Sequence, residues 1–172
     1  MGSDKALLRV RGSTLVETVA AAVSQAAGRP LLVGYRHRYD GLGYEVIPDL
    51  YPGEGPLGGV LTALRNSSAE WNLIVACDMP GLTGEFLSAL MDAADRSGGE
   101  VLAPVGPEGN IEPLCAVYRK SSSPALERAF ERGLRQMKAA LEEVRTVTLF
   151  VPELTHFQNV NTPGDWARYD SG

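Results

Sequence analysis

The sequence has 172 residues, of which 44% are hydrophobic and 22% are charged, and its formal net charge is −5. This length is enough for one hydrophobic core and short for two, so we expect a single domain over residues 1–172. The acidic balance disfavours a general nucleic-acid binder, and because no long apolar run or signal-peptide pattern is present, we expect a cytoplasmic protein without membrane contact.

The first helix that the sequence predicts is amphipathic. Thr14 and Glu17 match a capping box, in which each side chain satisfies a free backbone donor of the other. Apolar residues recur at helical spacing over residues 16–27, and Gly28 suits the C-terminal cap. The pattern therefore predicts a helix with both ends defined by local sequence.

Two short apolar runs, residues 30–34 and 44–47, predict strands, and the polar stretch between them predicts a surface loop. Residues 49–59 then form the segment richest in glycine and proline. Pro56 suits the first turn of the helix that follows, so the loop leads to a helix N-terminus, where backbone N–H groups and the helix dipole favour anions. The alternative is a tight turn that needs glycine for positive φ.

Gly53, Gly55 and Gly58 have the spacing of a dinucleotide-binding fingerprint, with Asp78 following about 20 residues later. In that motif the first glycine follows its strand closely, whereas here two prolines lie between residues 44–47 and Gly53. An NAD-dependent enzyme is therefore a minor alternative.

Residues 73–77 are apolar or small without helical spacing, which predicts a strand buried on both faces of a parallel sheet. Pro80 then ends strand pairing, and Asp78 stands at the carboxyl end of the strand. Ligands of open α/β sheets bind at such ends. Asp78 is thus a candidate ligand-binding or metal-binding residue, and the alternative is a cap or turn residue.

The rest of the chain continues the alternation of strands and helices, which predicts an α/β fold with a mostly parallel central sheet. The predicted elements are a helix over 86–94 opened by Thr83, strands at 101–105 and 114–118, helices from 123 to 133 and over 134–141, a strand at 147–151, and a last helix opened by residues 162–165.

Common catalytic motifs are missing from the sequence. Neither GxSxG nor a P-loop is present, and His37 and His156 lie in polar stretches without obvious partners. Cys77 and Cys115 have no metal-binding spacing, so we interpret both as reduced, buried thiols.

Polar side chains at predicted strand ends suggest a different chemistry. Lys5, Asp49, Asp78, Asn159 and Asn161 combine a cation, two carboxylates and two amides with the glycine-rich loop. Lysine offsets phosphate charge, while carboxylate and amide oxygens suit Mg²⁺. Each residue alone has a structural explanation, but together they indicate metal-assisted chemistry on a phosphate.

Four of these segments, residues 1–8, 55–59, 77–80 and 159–163, occur in the order found in a known family. Together they resemble the molybdenum cofactor guanylyltransferases, which are nucleotidyltransferases with a three-layer, Rossmann-like α/β fold. The resemblance implies that the terminal phosphate of molybdopterin attacks the α-phosphorus of GTP, releasing pyrophosphate. It further implies GTP and molybdopterin as substrates, Mg²⁺ as cofactor, and transient contact with molybdoenzymes or other cofactor-synthesis proteins.

The resemblance also assigns roles to individual positions. It implies that Lys5 and Asp78 are catalytic and that Asp78 and Asn161 hold the metal. The implied nucleotide-binding residues are Lys5, Asp49, Gly55, Pro56, Leu57, Gly58 and Asp78.

The sequence leaves two alternatives to the guanylyltransferase function. A cytidylyltransferase relative is one, although that branch usually departs from the Gly-Pro-Leu-x-Gly loop present at residues 55–59. A binding or carrier homologue that has lost catalysis is the other. It is favoured by the start of the sequence, because in the family the motif of residues 1–5 follows a first strand and a Leu-Ala-Gly-Gly-x-Ser-x-Arg loop that grips the nucleotide.

We therefore predict that residues 1–172 alone bind GTP weakly or not at all. Titration calorimetry with GTP and Mg²⁺ measures this directly. Tight, Mg²⁺-dependent binding by this chain would contradict the prediction.

Overall fold

The protein is built from eight strands and six α-helices in the part of the chain described by the computed structural model, residues 5–10, 12–157, 159–160 and 165. The strands are β1 (Arg9–Val10), β2 (Ser13–Thr14), β3 (Leu31–Val33), β4 (Glu45–Ile47), β5 (Trp71–Val75), β6 (Val101–Val105), β7 (Cys115–Arg119) and β8 (Thr146–Phe150). The helices are α1 (Leu15–Ala27), α2 (Arg36–Tyr39), α3 (Pro56–Asn66), α4 (Gly84–Ser97), α5 (Ser123–Glu131) and α6 (Met137–Leu141). Single 3₁₀ turns occur at Lys5–Leu7, Lys120–Ser122 and Leu154–Phe157.

The larger sheet has the strand order β5-β7-β6-β8. Strands β6 and β8 are parallel, and β7 is antiparallel to both β5 and β6. Three of the four strands therefore run in one direction. Strand β7 is reversed because residues 106–114 connect it to β6 without a helix, and a short connection cannot return the chain for parallel pairing.

A smaller sheet consists of β3 and β4, paired in parallel from Leu31–Glu45 to Val33–Ile47. The polar stretch between them contains one helical turn, α2, rather than only a loop. His37 lies in this turn and is exposed, as a solvated residue should be.

The larger sheet lies between two layers of helices. Val101, Ala103 and Tyr118 pack with α3, α5 and α6, whereas Leu102 and Val117 pack with α1 and α4. Neighbouring residues of a strand thus pack into the apolar clusters on opposite faces of the sheet, because successive side chains of a strand alternate between its faces. The predicted three-layer α/β architecture is confirmed.

Strand β5 differs from its prediction. The strand covers Trp71–Val75 instead of 73–77, its paired neighbour is the antiparallel β7, and its residues are half-buried instead of fully buried. Its position at the edge of the larger sheet explains the partial exposure. An apolar run does not reveal the direction of the neighbouring strand, because both pairings bury the same side chains.

Helix ends follow the predicted local chemistry. Glu17 Oε2 accepts from the Thr14 amide at 2.8 Å, and Thr14 Oγ1 accepts from the Glu17 amide at 3.3 Å, which forms the capping box. The Thr14 amide and the Thr14 hydroxyl both donate to the Glu17 carboxylate, and these two hydrogen bonds lower the pKa of Glu17. Thr83 caps α4, because its Oγ1 accepts a hydrogen bond from the Phe86 amide at 3.2 Å.

The last predicted helix, over residues 162–166, lies outside the described residues apart from Asp165, which is helical.

His156 has structural partners that its polar sequence context does not show. Its ring stacks on Phe86 with centroids 4.5 Å apart, and Nδ1 lies 3.2 Å from the Gly81 carbonyl oxygen. These partners are 70 and 75 positions away in sequence, which is why periodicity could not reveal them.

The two cysteines form no disulfide. Cys115 is buried, and burial, assisted by the nearby Glu112, raises its pKa to about 12. Cys77 is only half-buried, which corrects the expectation that both thiols are buried.

Within the described residues, none of the helices has the length and apolar character needed to cross a bilayer.

The beginning of α3 lies very close to the preceding loop. A Cβ atom added at Gly58 would stand 2.8 Å from Tyr51 Cβ and 3.3 Å from Tyr51 O. At the next position, Gly59, an added Cβ would meet nothing within 4 Å. Gly58 therefore has no room for a side chain, whereas the adjacent helical Gly59 has open space for one.

We predict that Gly58→Ala destabilises the protein by about 1–3 kcal/mol, because the loop at Tyr51 must move. Gly59→Ala is the matched control and should be neutral or stabilising by up to about 1 kcal/mol, since alanine favours helix. Urea unfolding of both variants gives the two free energies. Equal effects would show that Gly58 is not required by the contact with Tyr51.

Candidate functional site

The candidate site lies where the chain leaves β5. Asp78 is half-buried, and its Oδ1 atom is inaccessible to solvent yet has no hydrogen-bond partner among the described residues. A buried carboxylate oxygen without a partner is costly, and native proteins rarely retain one. The geometry therefore favours a donor or cation supplied by a ligand at this atom.

The backbone around Asp78 is well anchored. Met79 and Leu82 are buried, at 2% and 5% exposure, in the apolar cluster that includes Leu87 of α4. The Asp78 carbonyl accepts a hydrogen bond from the Val160 amide at 2.8 Å, so residues 159–160 lie beside the site. The backbone that carries the Asp78 carboxylate is thus fixed between the end of β5 and residues 159–160.

Asp78 is not the cap of the following helix. The N-cap of α4 is Thr83, five positions later, and its hydroxyl forms the capping bond. This excludes the helix-cap alternative for Asp78.

A second carboxylate, Glu112, precedes β7 at the end of the larger sheet where Asp78 follows β5. Val75 pairs with Cys115, and the Ala76 amide continues the ladder by donating to the Leu114 carbonyl at 2.7 Å. Burial raises the pKa of the Glu112 carboxyl, Lys138 opposes the rise, and the Asp78 carboxylate adds to it. Sequence reasoning missed Glu112, because its proximity depends on β7 being antiparallel.

Asp49 is bound into its own loop. Its Oδ1 accepts from the Tyr51 amide at 3.0 Å and lies 3.0 Å from the Thr62 hydroxyl, which in turn accepts from the Leu50 amide at 3.1 Å. Thr62 is fully buried in α3. This oxygen of Asp49 therefore fastens the loop to α3, and nucleotide binding by Asp49 stays a prediction.

The glycine-rich loop has the backbone geometry that its composition predicts. Gly53 and Gly55 have φ of 82° and 84°, and Gly55 is the N-cap of α3, directly before Pro56. Gly55 and Pro56 are exposed, whereas Leu57 and Gly58 are buried. A ligand at this loop would therefore meet the exposed Gly55–Pro56 turn before the side chain of Leu57.

Arg135 fixes the far side of this loop and was also missed by sequence reasoning. Its Nε donates to Glu54 Oε2 at 2.7 Å, its Nη1 donates to the Phe130 carbonyl at 2.7 Å, and its guanidinium lies 3.7 Å from the centroid of the Phe130 ring. The Tyr51 and Phe130 rings are 4.7 Å apart. No spacing in the sequence connects residues 54 and 135.

The remaining predicted site residues are less informative. Lys5 is exposed in the 3₁₀ turn that packs on α1. Asn159 is exposed, and Asn161 lies outside the described residues. The structure thus brings together Asp78, Glu112 and residues 159–160, and places Asp49 with the glycine-rich loop.

The oxygen-rich pair Asp78 and Glu112 fits the chemistry of Mg²⁺. The described residues contain no group of three or more His, Cys, Asp or Glu side chains that could enclose a metal. Mg²⁺ is commonly bound by one or two carboxylates together with waters and substrate phosphates, so a complete protein cage is not needed.

Comparison with known proteins places the chain in a family. Residues 1–146 match the family model described as a MobA-like NTP transferase domain. A probable molybdenum cofactor guanylyltransferase from Deinococcus radiodurans is 35% identical over 166 residues, which cover 96% of this chain and 85% of the relative. One from Flavobacterium johnsoniae is 32% identical, covering 94% and 84% of the two chains.

Solved structures agree with the family match. The crystal structure of molybdopterin-guanine dinucleotide biosynthesis protein A from Archaeoglobus fulgidus superposes with a TM-score of 0.83 at 30% identity, covering 99% of this chain and 90% of that one. The 2-C-methyl-D-erythritol 4-phosphate cytidylyltransferase of Thermus thermophilus, at 21% identity and a TM-score of 0.75, shares the fold, covering 97% and 92% of the chains. With this architecture and these relatives, the chain belongs to the MobA-like NTP transferase family of nucleotidyltransferases.

Proposed function

We propose that the protein transfers GMP from GTP to molybdopterin cofactor and releases pyrophosphate. The family and the names of the relatives support this reaction class. The structural observation that carries the proposal is the buried, unpartnered Oδ1 of Asp78 at the carboxyl end of β5, the position where α/β folds bind ligands.

In this reaction a terminal phosphate oxygen of molybdopterin forms a bond to the α-phosphorus of GTP, and the bond from that phosphorus to the pyrophosphate oxygen breaks. No covalent bond to the protein is required. Catalysis then consists of holding two anions in line and offsetting their charge.

The proposal gives each part of the site a task. Asp78 binds Mg²⁺ together with Asn161, and a bound magnesium ion would neutralise charge on the phosphates. Lys5 contributes a positive charge to the nucleotide phosphates. The loop from Asp49 to Gly58, held by Thr62 and Arg135, forms part of the nucleotide surface.

The predicted contacts with molybdoenzymes or other cofactor-synthesis proteins, and the cytoplasmic location, are part of the same proposal. The contacts follow from the product, a completed cofactor that must reach an enzyme. The NAD alternative loses its basis, because residues 53–58 belong to a chain of the nucleotidyltransferase family.

The direct test is a transfer assay on protein made from the gene with its natural upstream sequence, given molybdopterin cofactor, Mg²⁺ and either GTP or CTP. We expect a guanine dinucleotide product from GTP and at most traces with CTP. A preference for CTP would assign the protein to the cytidylyltransferase branch. A folded protein without transfer from either nucleotide would favour the non-catalytic carrier.

We further predict that Asp78→Asn lowers the transfer rate by about 100-fold or more, because it removes the charge that holds the cation. Stability should change little, since the replaced oxygen has no described partner to lose. Asp92→Asn, an exposed carboxylate on α4, is the matched control and should keep normal turnover. Unchanged turnover in Asp78→Asn would remove Asp78 from the mechanism.

A further inference from the structure

The connection from Asp78 to α4 is held by contacts with the segment that follows β8. Within the connection, the Leu82 amide donates to the Met79 carbonyl at 3.3 Å and closes one turn. The carbonyl oxygen of Gly81, shortly after Asp78, lies 3.2 Å from Nδ1 of His156. A bond to a residue 75 positions away therefore supports the connection beside its local turn.

His156 makes two contacts with one side chain. A carbonyl oxygen can only accept a hydrogen bond, so Nδ1 carries the proton and donates to Gly81. The imidazole ring also stacks on the Phe86 ring, with centroids 4.5 Å apart and 12° between the planes. The side chain is 18% exposed, and its other nitrogen, Nε2, lies 3.8 Å from the exposed Glu153 carboxylate. Both contacts are thus made to the stretch between Asp78 and the first turn of α4.

Val160, in the same segment as His156, anchors this stretch at its other end. The Val160 amide donates to the Asp78 carbonyl at 2.8 Å. Its side chain is 2% exposed and packs against Leu15 of α1. The backbone at Asp78 and the backbone at Gly81 are therefore both bonded to one segment, which is itself seated on the core.

We propose that His156 is a positioning residue, which fixes the direction of the Asp78 carboxylate by holding the Gly81 carbonyl. This rests on the proposed function, to which it adds a residue that the resemblance did not assign. Because Asp78 Oδ1 has no hydrogen-bond partner among the described residues, the backbone has the larger share in directing this carboxylate. His156 acts through the connection and not by contact with substrate. A small displacement of a group that binds the reactants costs much of the rate.

Two variants separate the two contacts of His156. His156→Phe keeps a ring on Phe86 and removes the donor. His156→Asn removes the ring and keeps an N–H donor, because the amide nitrogen of asparagine can stand close to the position of Nδ1. His37→Phe is the matched control, since His37 is exposed in α2. Each is made in the protein with its natural upstream sequence and assayed with GTP, molybdopterin cofactor and Mg²⁺, and its unfolding temperature is measured in parallel.

We expect His156→Phe to lower kcat by about tenfold, with little change in KM for GTP, because the misplaced carboxylate weakens the transition state and not nucleotide binding. Backbone amides between Met79 and Thr83 should exchange hydrogen faster in this variant. His156→Asn should lower the unfolding temperature more than His156→Phe, because the stacked ring is lost, yet keep kcat nearer to that of the unaltered protein. His37→Phe should change neither quantity.

The two variants rank differently if His156 only stabilises the fold. The transfer rate would then follow stability, and His156→Asn would be the more impaired of the two. That order, or an unchanged kcat in His156→Phe, would overturn the proposal.

Failure of the proposed function would appear separately, as an unaltered protein that transfers nothing. In that case hydrogen exchange decides whether His156 holds the connection. Unchanged exchange between Met79 and Thr83 in His156→Phe would overturn the positioning role as well, and faster exchange would support it.

Discussion

The antiparallel pairing of β5 with β7 is the constraint on which the rest of the molecule depends. It brings the end of β5 and the start of β7 to the same end of the larger sheet, where Asp78 follows β5 and Glu112 precedes β7. It also places Cys115 and Val117 under α4 and Tyr118 under α3. One ladder therefore sets both the position of the acidic site and the two apolar layers that keep it rigid.

Much of the fold could be predicted from local chemistry. The ends of α1 follow from Thr14, Glu17 and Gly28, and the start of α3 from Gly55 and Pro56, because caps and turns act within a few residues. The residues that escaped prediction, Glu112, Arg135 and the partners of His156, depend on contacts between distant segments. Those contacts follow from strand direction and layer packing, which hydrophobic periodicity does not specify.

The glycine-rich loop, residues 49–59, is held in one conformation by side-chain contacts although its composition favours flexibility. Asp49 is fastened to Thr62, Tyr51 fits against Gly58 and Phe130, and Glu54 is paired with Arg135. Anchors on α3, on α5 and on the segment between α5 and α6 leave little freedom to a segment rich in glycine. Such a loop can present its exposed Gly55–Pro56 turn to an anionic ligand without first losing much conformational entropy.

The hydrogen bond from the Val160 amide to the Asp78 carbonyl also bears on the order in which the protein folds. It joins residues 82 positions apart, whereas the turn from Met79 to Leu82 and the cap of α4 are local. Contacts of long sequence separation form late because loop closure precedes any gain from them. A chain synthesised from its N-terminus exposes Val160 only after the whole larger sheet has emerged, so the core is assembled before the backbone of the acidic site is complete.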